Sequence, residues 1–584
     1  MMFGIGDPIH AESSIRHARG TRIFVHVPKP LARFVSLVLL AACASNPHVA
    51  VDRHVAPDPA TQIVVTAHPL ATRTALAMLD RGGSPVDAAI AAQMVLGLVE
   101  PQSSGIGGGA IALYWDAASR KLTSFDGLAA APSQVTAALD VDVDGSPLDR
   151  QAALRGGRAV GVPGALAMLR LAHARFGKLP WRDLFTPAIE LAERGFALAP
   201  YEHDILVRET IARGNAAMRR LYFAADGAPF AAGTLLRNPE YARTLRTIAD
   251  NSPERWLENG GAAAFVAAAQ GGFRPSLMVE HDLLDYRAVE REPLCGAFLV
   301  YAVCTMGPPS HGGLIVLQML QMAEARAAGF DFADASFVHV LAEASKIGQA
   351  DRRRYLGDPA FVAVPARELA SADYARRRAA EIGDVAQDRA TPARAALAGA
   401  EEMTSQIVIA DSQGSVLSLT TTINLNFGAG LMADGYVLNN AMNLFASAPR
   451  AGEFVPNRME PRKRPTSAMA PTIAFDRDGQ VVLAGGSAGG GPIPDYVAQS
   501  VIEMLANGRS PEEAIARGHL TSFARGKLQL EKGTPIAALV PALRAKGHDV
   551  EEVRLLSGLA FIKRERAGWI GAADPRRDGT AEQR

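Results

Sequence analysis

A layered α+β fold is what this 584-residue sequence predicts, and three observations carry it. Helical periodicity dominates the first part of the chain, the apolar period changes to two after Gln406, and a helix followed by further strands returns toward the C-terminus. Helices and strands alternating in blocks favour packed layers over a barrel or a doubly wound parallel sheet.

Taken in order, "ATRTALAMLDRGG" (71–83) reads as a helix closed by a glycine pair, and "SPVDAAIAAQMVLGLVE" (84–100) as a helix with Ser84 at the N-cap and Pro85 at its first position. Strands follow near 406–411, 415–423, 435–439, 471–476 and 480–484, then a helix near 495–506 and strands toward 550–571. From about residue 61 to 565 there is no low-complexity linker and no internal repeat.

Composition is that of an ordinary globular chain, 48% hydrophobic and 21% charged. Basic and acidic residues number 60 each, so no net charge draws the protein to nucleic acid or to an anionic membrane surface. The 13 histidines are scattered without HExxH or Cys/His zinc spacing, and neither a metal nor a cofactor is expected. Lys29 and Arg33 precede the apolar run Phe34 to Ala42, which ends at Cys43. The run is too short to span a bilayer and has the layout of an export signal covering residues 1–42. It resembles a lipoprotein signal with Cys43 as the lipidated residue, which implies an exported, periplasmic, membrane-anchored protein; an ordinary secretory signal is the alternative. Cys295 and Cys304 are then the remaining cysteines, spaced for opposite strands of a hairpin centred near Leu299 and Val300, and export makes a disulfide the expectation.

Two glycine-rich stretches bear on function. "SGIGGGA" (104–110) lacks the endings of a phosphate loop or dinucleotide fingerprint and reads as tight backbone packing. "GGSAGGG" (485–491) fits a nucleophile elbow centred on Ser487, with His519 and His548 downstream, but antiparallel hairpins precede it where a serine hydrolase of that kind needs parallel strands. The same glycines read equally as an anion nest for a developing oxyanion. The nucleophile then comes from the hairpin "TSQIVIADSQGSVLSLTTTIN" (404–424): a three-residue turn with Gly414 left-handed pairs Asp411 with Ser415 and, counting outward, Thr404 with Thr422. Thr404, Gln406, Thr420, Thr422 and Asn424 share one face, while Ile407, Ile409, Leu417, Leu419 and Ile423 share the apolar one.

These segments, with "FGAGLMADGYVLNNAMNLF", "KRPTSAMAPTI", "GGSPVDAAIAAQMVLGLVEPQSSGIGGGA", "YLGDPAFVAVP" and "MGPPSHGGLIVLQML", resemble the γ-glutamyltranspeptidases from about residue 60 to 570. The resemblance implies an N-terminal-nucleophile hydrolase with a four-layer αββα sandwich. It implies a precursor that cuts itself between Met403 and Thr404 into a large subunit, residues 43–403, and a small one, residues 404–584. Thr404 then attacks the substrate amide with its own α-amine, pKa about 8, as base. Thr422 orients that hydroxyl, Asn424 and Asn443 contact substrate, and Gly489 and Gly490 donate to the oxyanion.

The chain departs from the family where the γ-glutamyl group is held. An arginine is usual where "DGLAAAP" has Leu128, an aspartate is usual at Leu444 after the Asn pair, and a Ser-Ser pair reads Ser467-Ala468. Charge-assisted hydrogen bonds worth roughly 1.5–3 kcal/mol each are missing, so the acyl specificity differs from γ-glutamyl. The short segment between Phe445 and Pro465 implies an open site like that of the related cephalosporin acylases. The expectation is an amide hydrolase or acyltransferase acting on a small-molecule amide or peptide. The competing readings are a serine hydrolase using Ser487 and a processed but non-catalytic surface lipoprotein.

Overall fold

The computed structural model describes residues 62–135, 139, 153–387, 402–446, 454–523 and 527–584. Cys43 and the expected export signal lie outside them, as do residues 447–453 of the segment between Phe445 and Pro465. Among the described residues no helix is long and apolar enough to cross a membrane.

The strands of two large sheets are, in chain order, β1 Ile63–Thr66, β2 Gly109–Asp116, β3 Lys121–Gly127, β4 Val289–Arg291, β5 Leu294–Phe298, β6 Tyr301–Thr305, β7 Glu402–Ala410, β8 Val416–Leu425, β9 Thr472–Phe475, β10 Val481–Ala488, β11 Gly558–Glu565, β12 Gly568–Ala573 and β13 Thr580–Gln583. One sheet has seven strands in the order β13-β1-β7-β8-β2-β3-β4, the other six in the order β12-β11-β10-β9-β6-β5. Every pairing within both is antiparallel.

Alternation along the strands builds the layers. On β1, Val64 faces a core shared with helices Pro69–Asp80 and Pro85–Val99, while Ile63 and Val65 face the second sheet. On the second sheet Cys304, Ile473 and Ala484 face the first, whereas Val303, Ala474 and Leu483 pack on helices Gly312–Arg326, Ala335–Tyr355 and Ile493–Leu505. Helix, sheet, sheet, helix is the αββα arrangement, with one apolar core between each pair of layers.

Local chemistry sets the boundaries. Ser84 caps its helix in a capping box with Asp87, whose carboxylate accepts from the Ser84 N–H at 2.9 Å. Pro85 occupies the first turn. Gly82 follows the preceding helix at φ +82°, a conformation that favours glycine. The first part of the chain also contributes β1, β2 and β3 to the seven-stranded sheet, strands that its helical periodicity hides. Cys295 and Cys304 lie opposite each other on β5 and β6 and are joined by a disulfide, with Leu299 and Val300 exposed at the turn.

Candidate active site

The β7–β8 hairpin occupies the centre of the seven-stranded sheet. Its turn has Gly414 at φ +87°, and the Asp411 N–H donates to the Ser415 carbonyl at 3.0 Å. The register runs outward from Ala410 opposite Val416 to Ser405 opposite Thr421, then slips by one residue, leaving Met403 opposite Asn424. The irregularity falls beside Thr422, and Asn424 takes φ +83°, a strained setting for a non-glycine residue.

Both faces of the hairpin are buried, so the polar face is no solvated surface. Val408, Ala410 and Val416 on that face pack against the second sheet. Nearer the open end the seam turns polar: Thr420 donates to Gln406 at 2.6 Å, Gln406 donates to Ser418 at 3.0 Å, and Ser418 donates to the Gly485 carbonyl at 2.8 Å. Hydroxyls and an amide are needed there because each buried polar group between sheets requires a partner.

Thr404 is 3% exposed, and its Oγ1 lies 3.4 Å from Thr422 Oγ1. The Thr422 hydroxyl donates to the Met403 carbonyl at 2.6 Å and accepts from the Asn424 N–H at 2.7 Å. With Met403 and Thr404 still joined, the Thr422 hydroxyl thus holds the carbonyl oxygen of that peptide and also accepts from the Thr404 hydroxyl at 3.4 Å. The glycine-rich stretch 104–110 packs behind it. A Cβ on Gly108 would stand 2.3 Å from the Thr422 carbonyl oxygen, and Gly109 pairs with Thr422 in register.

The Asn424 amide donates to Asn440 Oδ1 at 3.1 Å and to Asn443 Oδ1 at 2.7 Å, so two residues expected to contact substrate are bonded to each other. Asn439 donates to the carbonyls of Gly107 and Gly161, which makes the Asn pair a brace between segments. Ser467 is buried, bridging to Ser310 and accepting at its carbonyl from the His311 N–H at 2.8 Å; Ala468 follows, half-buried. Gly489 and Gly490, at φ +116° and +64°, turn the chain between β10 and helix Ile493–Leu505. Ser487 lies inside β10, wholly buried, donating to the Ala488 carbonyl at 2.7 Å. His548 is bonded to His339 at 2.8 Å, and His519 packs beside Tyr496, so neither serves Ser487.

Leu128 and Leu444 fall in two apolar clusters. Leu128 is 4% exposed among Ile111, Met306 and Met469, whereas Leu444 packs against a cluster containing Ala129, Met442 and Phe445. Positive charge is close by: the Asp126 carboxylate accepts from the Leu128 N–H at 2.9 Å, pairs with Arg291 at 2.7 Å and lies 3.6 Å from Arg464. Arg464 also stacks on Tyr286, whose hydroxyl donates to the Leu128 carbonyl at 2.7 Å.

Among the described residues, His339, Glu343 and His548 are close enough together to hold a metal ion. The two imidazoles are hydrogen-bonded to each other and the Lys346 ammonium binds Glu343 at 2.8 Å, so the atoms a cation would need are engaged.

Two residues at the Thr404 strand have no counterpart in the sequence reading. Arg577 Nη1 donates to the Thr404 carbonyl at 3.0 Å from a turn near the C-terminus. Glu100, at the end of helix Pro85–Val99, accepts from Ser405 Oγ at 2.7 Å. A carboxylate closing a helix that is apolar apart from Asp87 and Gln93 was a visible signal for Glu100; "DPRRDG" gave none for Arg577.

An αββα sandwich with a threonine on a central strand, facing a second hydroxyl, defines the class of the N-terminal-nucleophile hydrolases. Residues 71–583 match the Gamma-glutamyltranspeptidase family, and the chain belongs to it. It is 31% identical to a glutathione hydrolase proenzyme of Bacillus subtilis (strain 168), covering 89% of this chain and 91% of that protein. It is 35% identical to an acylase ACY 1 proenzyme of Pseudomonas sp. (strain SE83), covering 89% and 92%. The fold superposes on a cephalosporin acylase from Bacillus halodurans with a TM-score of 0.77 at 24% identity, over 93% of this chain and 99% of that one.

Proposed function

We propose that the protein is a self-processing amide hydrolase or acyltransferase whose nucleophile is Thr404 and whose acyl specificity is not γ-glutamyl. The observation that carries the reading is the Thr422 hydroxyl 2.6 Å from the Met403 carbonyl oxygen, beside the Thr404 hydroxyl. Thr404 Oγ1 adds to the Met403 carbonyl carbon, and the negative charge grows on the oxygen that Thr422 already holds. The hydroxyl proton passes to the Thr404 nitrogen, the C–N bond breaks, and an ester remains. Water then releases the Met403 carboxylate and the Thr404 hydroxyl, leaving a free α-amine, pKa about 8, to serve as base for the next acyl transfer. In turnover, Gly489 and Gly490 at the turn before helix Ile493–Leu505 receive the substrate oxyanion.

Relatives named as glutathione hydrolase and as acylase both cover most of the chain, so family membership alone leaves the acyl group open. The apolar surroundings of Leu128 favour an acyl chain without the γ-glutamyl charge pair, because an unpaired charge there loses its hydration. The nearby Arg291 and Arg464 already face two carboxylates, Asp126 and Asp358. Export with a lipid on Cys43 belongs to the same proposal, supported by the basic flank and apolar run before that residue.

Intact mass spectrometry of the purified protein, alone and after incubation with a panel of amides, is the deciding experiment. Two chains meeting at Met403 and Thr404, and an acyl adduct on the smaller one, are the expected result. Thr404→Ala should give one chain and no adduct. A wild-type protein that remains whole after prolonged incubation would count against the mechanism, and adduct formation abolished by Ser487→Ala in a normally folded protein would transfer the nucleophile to that serine. Efficient glutathione cleavage by the wild type would refute the altered specificity while leaving Thr404 in place.

A further inference from the structure

The C-terminal turn after β12 brings Arg577 from far along the chain onto the two residues that flank the Met403–Thr404 bond, at the Thr404 carbonyl and the Met403 side chain. Arg577 is 8% exposed, and its guanidinium reaches four acceptors: the Thr404 carbonyl at 3.0 Å, the Ser557 carbonyl at 2.9 Å, the Leu556 carbonyl at 3.4 Å and Met403 Sδ at 3.7 Å. Tyr201 lies against the guanidinium, 5.4 Å from ring centre to carbon, and its hydroxyl donates to the same Met403 sulfur at 3.6 Å. One planar cation thus touches the residues on both sides of the bond to be cut. Its fork of donors fixes the Thr404 carbonyl relative to the Leu556–Ser557 segment.

A buried carboxyl stands near this cation. Glu100 is 2% exposed at the end of its helix, where the helix dipole is negative. Ser405 Oγ donates to it at 2.7 Å and accepts from Ser104 Oγ at 3.1 Å. The residue immediately after the nucleophile is therefore tethered to Glu100. The charged and titratable groups that face Glu100 are Arg577, Asp578 and Glu202. Neither carboxylate oxygen of Glu202 has a hydrogen-bond partner among the described residues, and burial holds that group well above the usual carboxylate range. Burial likewise lifts Glu100 to about 7, against the pull of Arg577 and the Ser405 hydroxyl.

We propose that Arg577 is a positioning residue for self-cleavage, holding the Thr404 carbonyl while Glu100, tethered through Ser405, acts as its counter-charge. The proposal rests on the reading of Met403–Thr404 as the self-cleaved bond. Ionisation of Glu100 strengthens the field that keeps the guanidinium on the Thr404 carbonyl, so cleavage gains a step through about pH 7.

The test follows precursor cleavage over time by gel and mass spectrometry from pH 5.5 to 9, with thermal unfolding recorded for each variant. Arg577→Met keeps the stem and removes the charge, and should slow cleavage at least tenfold. Arg577→Lys, which restores the charge and one donor, should recover part of that rate. Glu100→Gln should cleave without the step near pH 7. A wild-type chain that stays whole overturns the self-cleavage reading and the proposal with it. A wild type that cleaves, beside a folded Arg577→Met that cleaves equally fast, overturns the proposal alone. If Arg577→Met does not fold, Arg577→Lys at the wild-type rate, or a Glu100→Gln pH profile superimposable on that of wild type, overturns it instead.

Discussion

The Thr422 hydroxyl carries one proton, and its 2.6 Å approach to the Met403 carbonyl shows where that proton points, since a carbonyl can only accept. If charge accumulates on that oxygen during the acyl shift, Thr422→Val should slow self-cleavage by about 10²–10³-fold, the usual loss for one oxyanion donor. Thr422→Ser should retain much of the rate; time courses of the two precursors separate these outcomes. Glu100 supports a second prediction at this scale. Its carboxyl ordinarily titrates near 4.5 and is held near 7 by burial, so between those values the folded state keeps a proton that the unfolded state releases. Stability therefore falls as pH rises across that window, by about 3 kcal/mol in all, and is lowest above pH 7. Glu100→Gln should flatten this dependence, measured by urea unfolding at pH 5 and pH 8. Steeper loss of stability at high pH in the variant would contradict the assignment. Specificity is also decided residue by residue: Leu128→Arg together with Leu444→Asp should raise turnover of a γ-glutamyl anilide, while either change alone does less because one charge of the substrate stays unmatched.

At the scale of elements, the glycine-rich stretch 104–110 matters because it lets one backbone approach another. Gly107 and Gly108 leave room for the carbonyls of Val437 and Thr422, each of which would stand 2.3 Å from an added Cβ. Neither contact is with a flexible side chain, so Gly108→Ala must push the Thr422 backbone. It should cost at least the 1–3 kcal/mol typical of overpacking and impair self-cleavage with it. A Gly108→Ala protein with unchanged melting temperature and processing would show that β8 can yield. The hairpin itself was legible because its register is set locally: an Asp–Ser closing pair, a left-handed Gly414 and alternating Ile and Leu all agree. The slip beside Thr422 was not legible. It comes from pairing with β2 and from the hydrogen bonds of Asn424 and Asn440, contacts between segments far apart in sequence.

For the whole molecule, the sheet order determines what a cut at Met403–Thr404 can do. In the seven-stranded sheet, β7 and β8 lie between β1 and β2, while β13 covers the other edge of β1, so strands from before and after residue 403 interleave. On the second sheet β6, from before the cut, pairs with β9 from after it. The Cys295–Cys304 disulfide lies entirely before the cut and links nothing across it. The two chains should therefore stay together without a covalent bond and separate only in denaturant. Native and denaturing mass spectrometry of the processed protein checks this, and spontaneous separation in buffer would be incompatible with the interleaved sheets.

Much of this protein was determined by sequence alone: the capped helix at Ser84, the hairpin with its two hydroxyls, the layered α+β class, the glycine packing and the family resemblance. Each of these depends on turn chemistry, periodicity or motif order within short stretches, where neighbours in sequence are neighbours in space. Only the tertiary structure decided that β1, β2 and β3 join the central sheet, that the Asn pair braces segments, and that Leu128 and Leu444 lie in separate clusters. It alone brought Arg577 to Thr404 and Glu100 to Ser405. A charged side chain in a C-terminal turn has the same sequence signature whether it faces water or a buried strand. What distinguishes the two is the burial and the acceptors supplied by other segments, Leu556 and Ser557 and the distant Met403 and Thr404.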